Sequence, residues 1–333
     1  MLVIDGSYGE GGGQILRTAL PLSIITNIPV KIYNIRARRP EPGLKRQHLV
    51  VVRLLKKLAD AEVEGAYLGS TELVFRPRRL VYKELELDVG SAGSLPLIIQ
   101  ALAPLVTVLE RPVTVKLTGG TDVPHSPSFD YMRYIFCKAV GVLGARLELL
   151  LEKRGFYPRG GGKVTVKLYP STLQPAEFLG KEQPKKFWLW AAASEELKKR
   201  NVLGRIASSA KKLLGEVNSQ LEYCKTLSVG VVATLGCWTE GRVLGADMLG
   251  EKGLPSEELG RQLAEKLLKE IQSGASVDKH LADMLVPFGF LAGRLVFRTS
   301  ELTQHLLTNI WVCRQFIKRE VRIDETTKKV EIL

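Results

Sequence analysis

Glu10 is a single carboxylate among glycines 6, 9, 11, 12 and 13, with Arg17 close behind in the run Asp5-Gly-Ser-Tyr-Gly-Glu-Gly-Gly-Gly-Gln-Ile-Leu-Arg17. A short apolar run, Leu2 to Ile4, precedes it and an apolar segment, Ile15 to Ile25, follows, so the spacing predicts strand, glycine loop, helix. Such a loop leaves successive backbone N–H groups open at a helix N-terminus, where an anion is favoured. Arg17, about one turn into the helix, adds a fixed cation. Glu10 would repel phosphate unless a cation lay between them. Taken alone, the cluster fits either a packing turn or an anion loop. It is not a P-loop, because no Lys-Ser or Lys-Thr closes it, and it is not the dinucleotide fingerprint, whose last glycine falls on Gln14.

A second group of cations lies in Ile35-Arg-Ala-Arg-Arg-Pro-Glu-Pro-Gly-Leu-Lys-Arg-Gln-His48. Two prolines and a glycine stiffen this loop, and rigid arginines suit bidentate phosphate recognition, although a solvated basic face has the same composition. No aromatic residue interleaves these cations, so any base stacking must come from elsewhere in the chain. His305 stands near a predicted helix start over 303 to 316, where Ser300 or Thr299 could cap and Glu301 suits the first turn. The field of a helix start favours a neutral, nucleophilic imidazole. By itself the position also suits a capping or core histidine.

The elements that must hold these groups recur. Asp5 and Asp88 are 83 positions apart in similar apolar–Asp–Gly–Ser surroundings, and His48 and Tyr131 keep the same offset in the helices that follow. Each unit closes on two strand-like runs: 61 to 69 with 72 to 76, and 145 to 157 with 162 to 169. Gln47-His-Leu49 reappears as Gln304-His-Leu306 at a distance that leaves room for an insertion of about 91 residues. That insertion reads as a small α/β unit: strand 187 to 193, helix 195 to 214, strands 229 to 237 and 243 to 249, helix 256 to 272. The expected division is therefore 1–183 with 275–333 as one three-repeat α/β (α+β) body, and 184–274 as an inserted α/β domain. After the insert, Asp278 should cap the next helix, and a strand over 294 to 298 follows.

Bulk properties narrow the partners. The 333 residues are 45% hydrophobic, enough for a sizeable core, and carry a net charge of +13, which favours polyanions. Cysteines 137, 224, 237 and 313 form no C-x-x-C pair, so neither a zinc ribbon nor a disulfide framework is indicated, and a reducing, cytoplasmic compartment is expected. No apolar run reaches eighteen residues and the N-terminus lacks a basic leader, which argues against membrane spanning and secretion.

The glycine motif, the Arg36-Ala-Arg-Arg39 to His48 run, Gly90-Ser-Ala-Gly-Ser94, Gly119-Gly-Thr-Asp122, Gly155-Phe-Tyr-Pro-Arg-Gly-Gly-Gly162, His280-Leu-Ala-Asp283 and His305-Leu-Leu-Thr-Asn309 together resemble the RNA 3′-terminal phosphate cyclase family. The resemblance covers nearly the whole chain. It implies three repeats like the C-terminal domain of translation initiation factor three, plus a smaller inserted domain. It also implies that a histidine attacks the α-phosphorus of ATP to give histidine–AMP, that the adenylate passes to an RNA 3′-phosphate, and that the 2′-hydroxyl displaces AMP to leave a 2′,3′-cyclic phosphate. The family's nucleophile falls on His305. Arg17, Arg39 and His48 would serve the chemistry, Gln47, Gln100, Pro127 and Asp283 would contact the nucleotide, and Glu10 would hold a divalent metal, Mg or Mn. Met284 stands where the family often has Gln, so a polar contact from that side chain is lost. Two other classes stay open: a non-catalytic cyclase-like RNA-binding factor in ribosome assembly, which lacks the histidine nucleophile, and an enolpyruvyl transferase, related by repeat architecture but without a nucleotidyl-histidine.

Overall fold

A computed structural model describes residues 1–333. Strand β1 (Leu2–Asp5) leads through the glycine loop into helix α1 (Gln14–Thr26) and strand β2 (Val30–Tyr33). Helix α2 (Arg46–Leu58) then crosses back, and strands β3 (Glu62–Glu64) and β4 (Leu73–Arg76) complete a sheet ordered β1-β2-β4-β3. Helix α1 is apolar nearly all round and accordingly buried, whereas α2 buries His48, Leu49, Val51, Val52 and Leu55 and leaves its lysines in water.

The next stretch repeats this order. Strand β5 (Leu85–Asp88), helix α3 (Leu95–Leu102), strand β6 (Val113–Gly119), a π-helical turn at Tyr131–Phe136 running into helix α4 (Cys137–Val142), and strands β7 (Arg146–Lys153) and β8 (Gly162–Tyr169) form a sheet ordered β5-β6-β8-β7. Strand β9 (Ala176–Phe178) opens a third sheet that waits more than a hundred residues for its partners. Those are strand β14 (Leu295–Arg298), parallel to β9, and the closing hairpin β15 (Val321–Asp324) and β16 (Lys329–Ile332), with helices α7 (Lys279–Ala292) and α8 (Gln304–Phe316) between. All three sheets share one pairing pattern: the first strand parallel to the second, the second antiparallel to the last, and the third antiparallel to the last.

Between β9 and α7 the chain makes β10 (Phe187–Ser194), α5 (Val202–Leu214), β11 (Val217–Cys224), β12 (Val231–Thr239), β13 (Arg242–Leu249) and α6 (Ser256–Gln272), with a sheet ordered β11-β10-β12-β13. Two sequence expectations need correction here. The helix expected over 195 to 214 is broken at Asn201, which takes a left-handed φ of 48°, leaving a 3-10 turn before α5. Strand β11 was not expected at all. Its Asn218 to Glu222 are all exposed on a sheet edge, with Leu221 the single apolar residue among them, so it lacks an apolar signal.

The buried apolar side chains form one large cluster running from Ile4 to Ile332 and a separate one of 21 residues within 187–275. Two buried polar knots join the parts. Arg154 (5% exposed) donates to Asp122, Asp130 and Glu222, at 3.1, 2.7 and 2.9 Å. Asp278 caps α7 as expected, accepting from the amides of His280 and Leu281, and also accepts from Tyr131 Oη at 2.7 Å and the Gly245 amide at 2.8 Å. The Asp122 and Arg154 neighbourhoods, noticed in the sequence for their glycines, thus carry architecture.

Candidate active site

Helices α1 and α8 lie side by side and are joined by two side-chain bonds one helical turn apart. Gln14 meets His305, and Thr18 donates from Oγ1 to Asn309 Oδ1 at 2.7 Å. Both pairs are spaced i, i+4, so each helix presents them on one face. Asn309 also donates to the Asp283 backbone carbonyl at 2.8 Å, which ties α7 into the same arrangement. At the other side of the glycine loop, Tyr8 stacks on Trp311 with ring centroids 3.9 Å apart, anchoring the loop against α8. Gln14, Thr18 and Tyr8 were not among the sequence candidates. The matching i, i+4 spacing is a signal for the first two only once the helices are known to touch.

His305 is in the first turn of α8. The cap is Thr303, whose Oγ1 accepts from the Leu306 amide at 3.1 Å, and not Ser300 or Thr299. The helix starts at Gln304, too late for either of those residues to reach its free N–H groups. Glu301 falls short of the first turn as well and pairs with Lys279 at 2.9 Å. Gln14 Nε2 donates to the His305 carbonyl at 2.5 Å, so its Oε1 faces His305 Nδ1. An amide oxygen only accepts, which assigns the proton to Nδ1 and the lone pair to Nε2. That Nε2 lies 3.6 Å from Glu10 Oε2, and Glu10 in turn is 3.3 Å from Arg39 Nη2. Burial pulls the His305 pKa below its ordinary value, against the opposite influence of Glu10, and keeps the ring neutral at pH 7.

His48 is held in the other tautomer. Its Nδ1 accepts from the Lys45 amide at 3.0 Å, closing the first turn of α2 in the way a capping-box glutamate does. Nε2 therefore carries the proton. Burial, and next the charge of Arg17, push the His48 pKa down to about 3. A Cβ on Gly13 would fall 2.2 Å from His48 Nε2, so only glycine lets α2 come this close to the start of α1.

Arg17 is partly covered by the surrounding helices. Burial lowers it to about 10, with Asp283 acting in the opposite sense, and it remains a cation at neutral pH. Its Nε is buried without an acceptor. Asp283 is pushed up to about 8, chiefly by burial, with the Arg17 charge opposing. Arg17, Gln100, Met284 and Asn309 line one narrow gap beside Gln14 and Thr18, and Met284 offers the unpaired Nε no acceptor there.

Of the remaining candidates, Gln47 is exposed on the first turn of α2 beside a groove, one residue from His48. Pro127 lies in the loop between Ser126, bonded to the α3 cap Ser94, and Ser128, whose amide donates to Asp247 at 2.6 Å. Among the basic-loop cations, Arg36 is committed to the carbonyls of Glu41 and Gly43, and Lys45 to the Glu41 carboxylate. Arg39 meets Glu10, while Arg38 and Arg46 have no carboxylate partner.

No cluster of three or more metal-ligating side chains occurs. Glu10 alone nevertheless suits a hard cation of the Mg type, which takes one or two carboxylates and fills its remaining positions with water and substrate phosphate oxygens. Its carboxylate is about half exposed and adjacent to the His305 lone pair. No helix is long and apolar enough to cross a membrane.

A tautomer-locked histidine in the first turn of a helix, with its free Nε2 toward one carboxylate and two arginines nearby, can attack an electrophilic phosphorus while the arginines hold phosphate oxygens. The family description "RNA 3'-terminal phosphate cyclase" matches residues 8–323. RNA 3'-terminal phosphate cyclases of Korarchaeum cryptofilum and Pyrobaculum neutrophilum are 44% and 42% identical to this chain, covering 94% and 96% of it and 91% and 94% of their own lengths. That of Methanosarcina acetivorans is 38% identical over all of this chain and 99% of its own. The chain belongs to the RNA 3′-terminal phosphate cyclase family.

Proposed function

We propose that the protein converts an RNA 3′-phosphate end to a 2′,3′-cyclic phosphate at the expense of ATP, through a covalent adenylate on His305. The observation that carries this reading is the Gln14 clamp, which leaves the Nε2 lone pair of His305 free toward Glu10 and Arg39. In the first step Nε2 bonds to the α-phosphorus of ATP and the bond to pyrophosphate breaks. In the second, an oxygen of the RNA 3′-phosphate attacks the same phosphorus, and His305 leaves as the neutral imidazole after Nε2 has lost its bond to phosphorus. In the third, the adjacent 2′-hydroxyl attacks the activated 3′-phosphorus, losing its proton, and AMP departs.

Arg17 and Arg39 stabilise negative charge on the phosphate oxygens during these transfers, and the unpaired Arg17 Nε provides a donor awaiting an acceptor. His48 Nε2–H donates beside Gly13, and Gln47, Gln100, Pro127 and Asp283 contact the nucleotide. Glu10 holds a divalent cation that, when bound, screens the triphosphate charge. The polypeptide divides as 1–183 with 275–333, a three-repeat body like the translation initiation factor three C-terminal domain, and 184–274, an insert. The shared pairing pattern of three sheets and the separate apolar cluster of the insert support that division.

Incubation with α-labelled ATP, followed by denaturing electrophoresis and mild acid, tests the reading. Acid-labile label on the wild-type chain, chased by RNA bearing a 3′-phosphate, is expected. A chain that never takes label would refute it.

A further inference from the structure

Beside Gln47 a groove of about 620 Å3 opens between the first turn of α2 and two loops of the second unit, Ser91 to Gly93 and Tyr157-Pro158. Its volume lies within the range of clefts that hold small ligands. The first unit contributes Lys45, Arg46 and Gln47, and the only acid is Glu41, already bonded to Lys45. Arg46 is exposed and has no carboxylate partner. On the opposite wall Tyr157 is 63% exposed, and Leu68 at the end of the groove is 62% exposed with Tyr67 next to it at 66%.

The walls are fixed in advance. Gly160 takes a φ of +67°, and a Cβ there would stand 2.8 Å from the Ala92 backbone, so the Tyr157 loop is packed on the Ser91–Gly93 turn. Across the groove, the Gly69 amide donates to the Leu44 carbonyl at 2.8 Å, holding Leu68 beside the α2 start.

We infer that this groove binds the single-stranded RNA leading up to the 3′-phosphate, with a backbone phosphate at Arg46 and a base on the Tyr157 ring. The inference rests on the proposed function. A cation without a carboxylate partner and an exposed aromatic side chain in one shallow, largely apolar groove are the combination that binds single strands without reading their sequence. The aromatic groups missing from the basic loop are thus supplied from another unit. The groove also points the right way: residue 47 lines it, residue 48 packs on Gly13, and Gln14 holds His305.

Two measurements on Tyr157→Ala and Arg46→Gln decide the matter. One is label transfer from α-labelled ATP without RNA. The other is the Kd of a fluorescent, 3′-phosphorylated single-stranded hexaribonucleotide by anisotropy. Labelling should match wild type in both variants. The Kd should weaken about five- to 100-fold in Tyr157→Ala, and the salt dependence of binding in Arg46→Gln should flatten by about one phosphate contact. A Kd unchanged in both, or weakened only in proportion to lost labelling, would overturn the groove. Absence of label on the wild-type chain would instead overturn the proposed function and leave the Kd comparison standing.

Discussion

Gln14 grips His305 at two points 291 residues away in sequence, donating from Nε2 to its carbonyl at 2.5 Å and accepting from its Nδ1–H. The first bond orients the amide, and the oriented amide then chooses the imidazole tautomer. A carboxylate in the same place would choose the same tautomer but would also stabilise the imidazolium, which is useless as a nucleophile. A neutral amide holds the ring without protonating it.

Gln14→Leu should therefore slow adenylylation of His305 by about 1–3 kcal/mol of barrier, roughly five- to 150-fold. Gln14→Glu should keep more of the rate at high pH and move the acid limb of the pH–rate profile upward, because a nearby negative charge raises the imidazole pKa. Single-turnover label transfer between pH 5 and 9 measures both. An unmoved limb in Gln14→Glu would mean that the contact only packs the two helices.

Loss of the proposed nucleophile is separable from loss of its neighbour. His305→Ala should take no label from α-labelled ATP. His280→Ala should keep an appreciable fraction, because His280 is exposed on the first turn of α7 and lacks the Gln14 clamp. Full labelling of His305→Ala would remove the assignment.

Glu10 and Arg39 touch each other at 3.3 Å but should fail differently. Glu10→Gln should raise the magnesium or manganese concentration giving half-maximal labelling, since a carboxylate ligand is lost. Arg39→Lys keeps the charge, loses the planar fork, and should slow labelling with little change in that midpoint. A midpoint unchanged in Glu10→Gln would move the metal elsewhere.

His48 couples stability to pH. Its folded pKa of about 3 is depressed below the ordinary imidazole value, so the unfolded chain binds the proton first as pH falls. The stability it contributes is fully present above about pH 6.5 and is lost progressively below that. His48→Gln should be less stable than wild type at pH 7.5, and its deficit in Tm should shrink as pH falls from 6.5 to 5. Asp283, pushed up to about 8, acts in the opposite direction, because the folded chain holds its proton over that window. The difference between variant and wild type cancels it. A deficit that grows toward pH 5 would contradict the neutral, buried assignment.

Arg154→Met should be among the most damaging substitutions outside the site. It leaves Asp122 and Asp130 buried without their cation, at a cost of about 3–5 kcal/mol. Urea unfolding would show this as a lower midpoint at similar slope. Replacing Asp122 and Asp130 together with Arg154 by apolar residues should recover part of the loss.

Several parts of this protein could be read from its sequence because their signals are local. Strand β8 falls on 162–169 as expected, helix α8 on the expected span to within a residue, and the glycine loop between β1 and α1 where its composition put it. Asp278 caps α7 for the same reason: an N-cap acts on amides two or three residues away. The candidates Glu10, Arg17, Arg39, His48 and His305 were all legible as residues, and they gather around one point. Their arrangement was not legible. Which proton His305 carries depends on Gln14, how close α2 approaches depends on Gly13 meeting His48, and which of the loop cations remain free depends on Glu41, Glu10 and two backbone carbonyls. Strand β11 carries no apolar signal because residues 218 to 222 are exposed on a sheet edge. Periodicity and capping act within a few residues of chain, whereas hydrogen-bond partners, desolvation and close approach are set by whatever the fold brings near, and the fold joins residues 14 and 305.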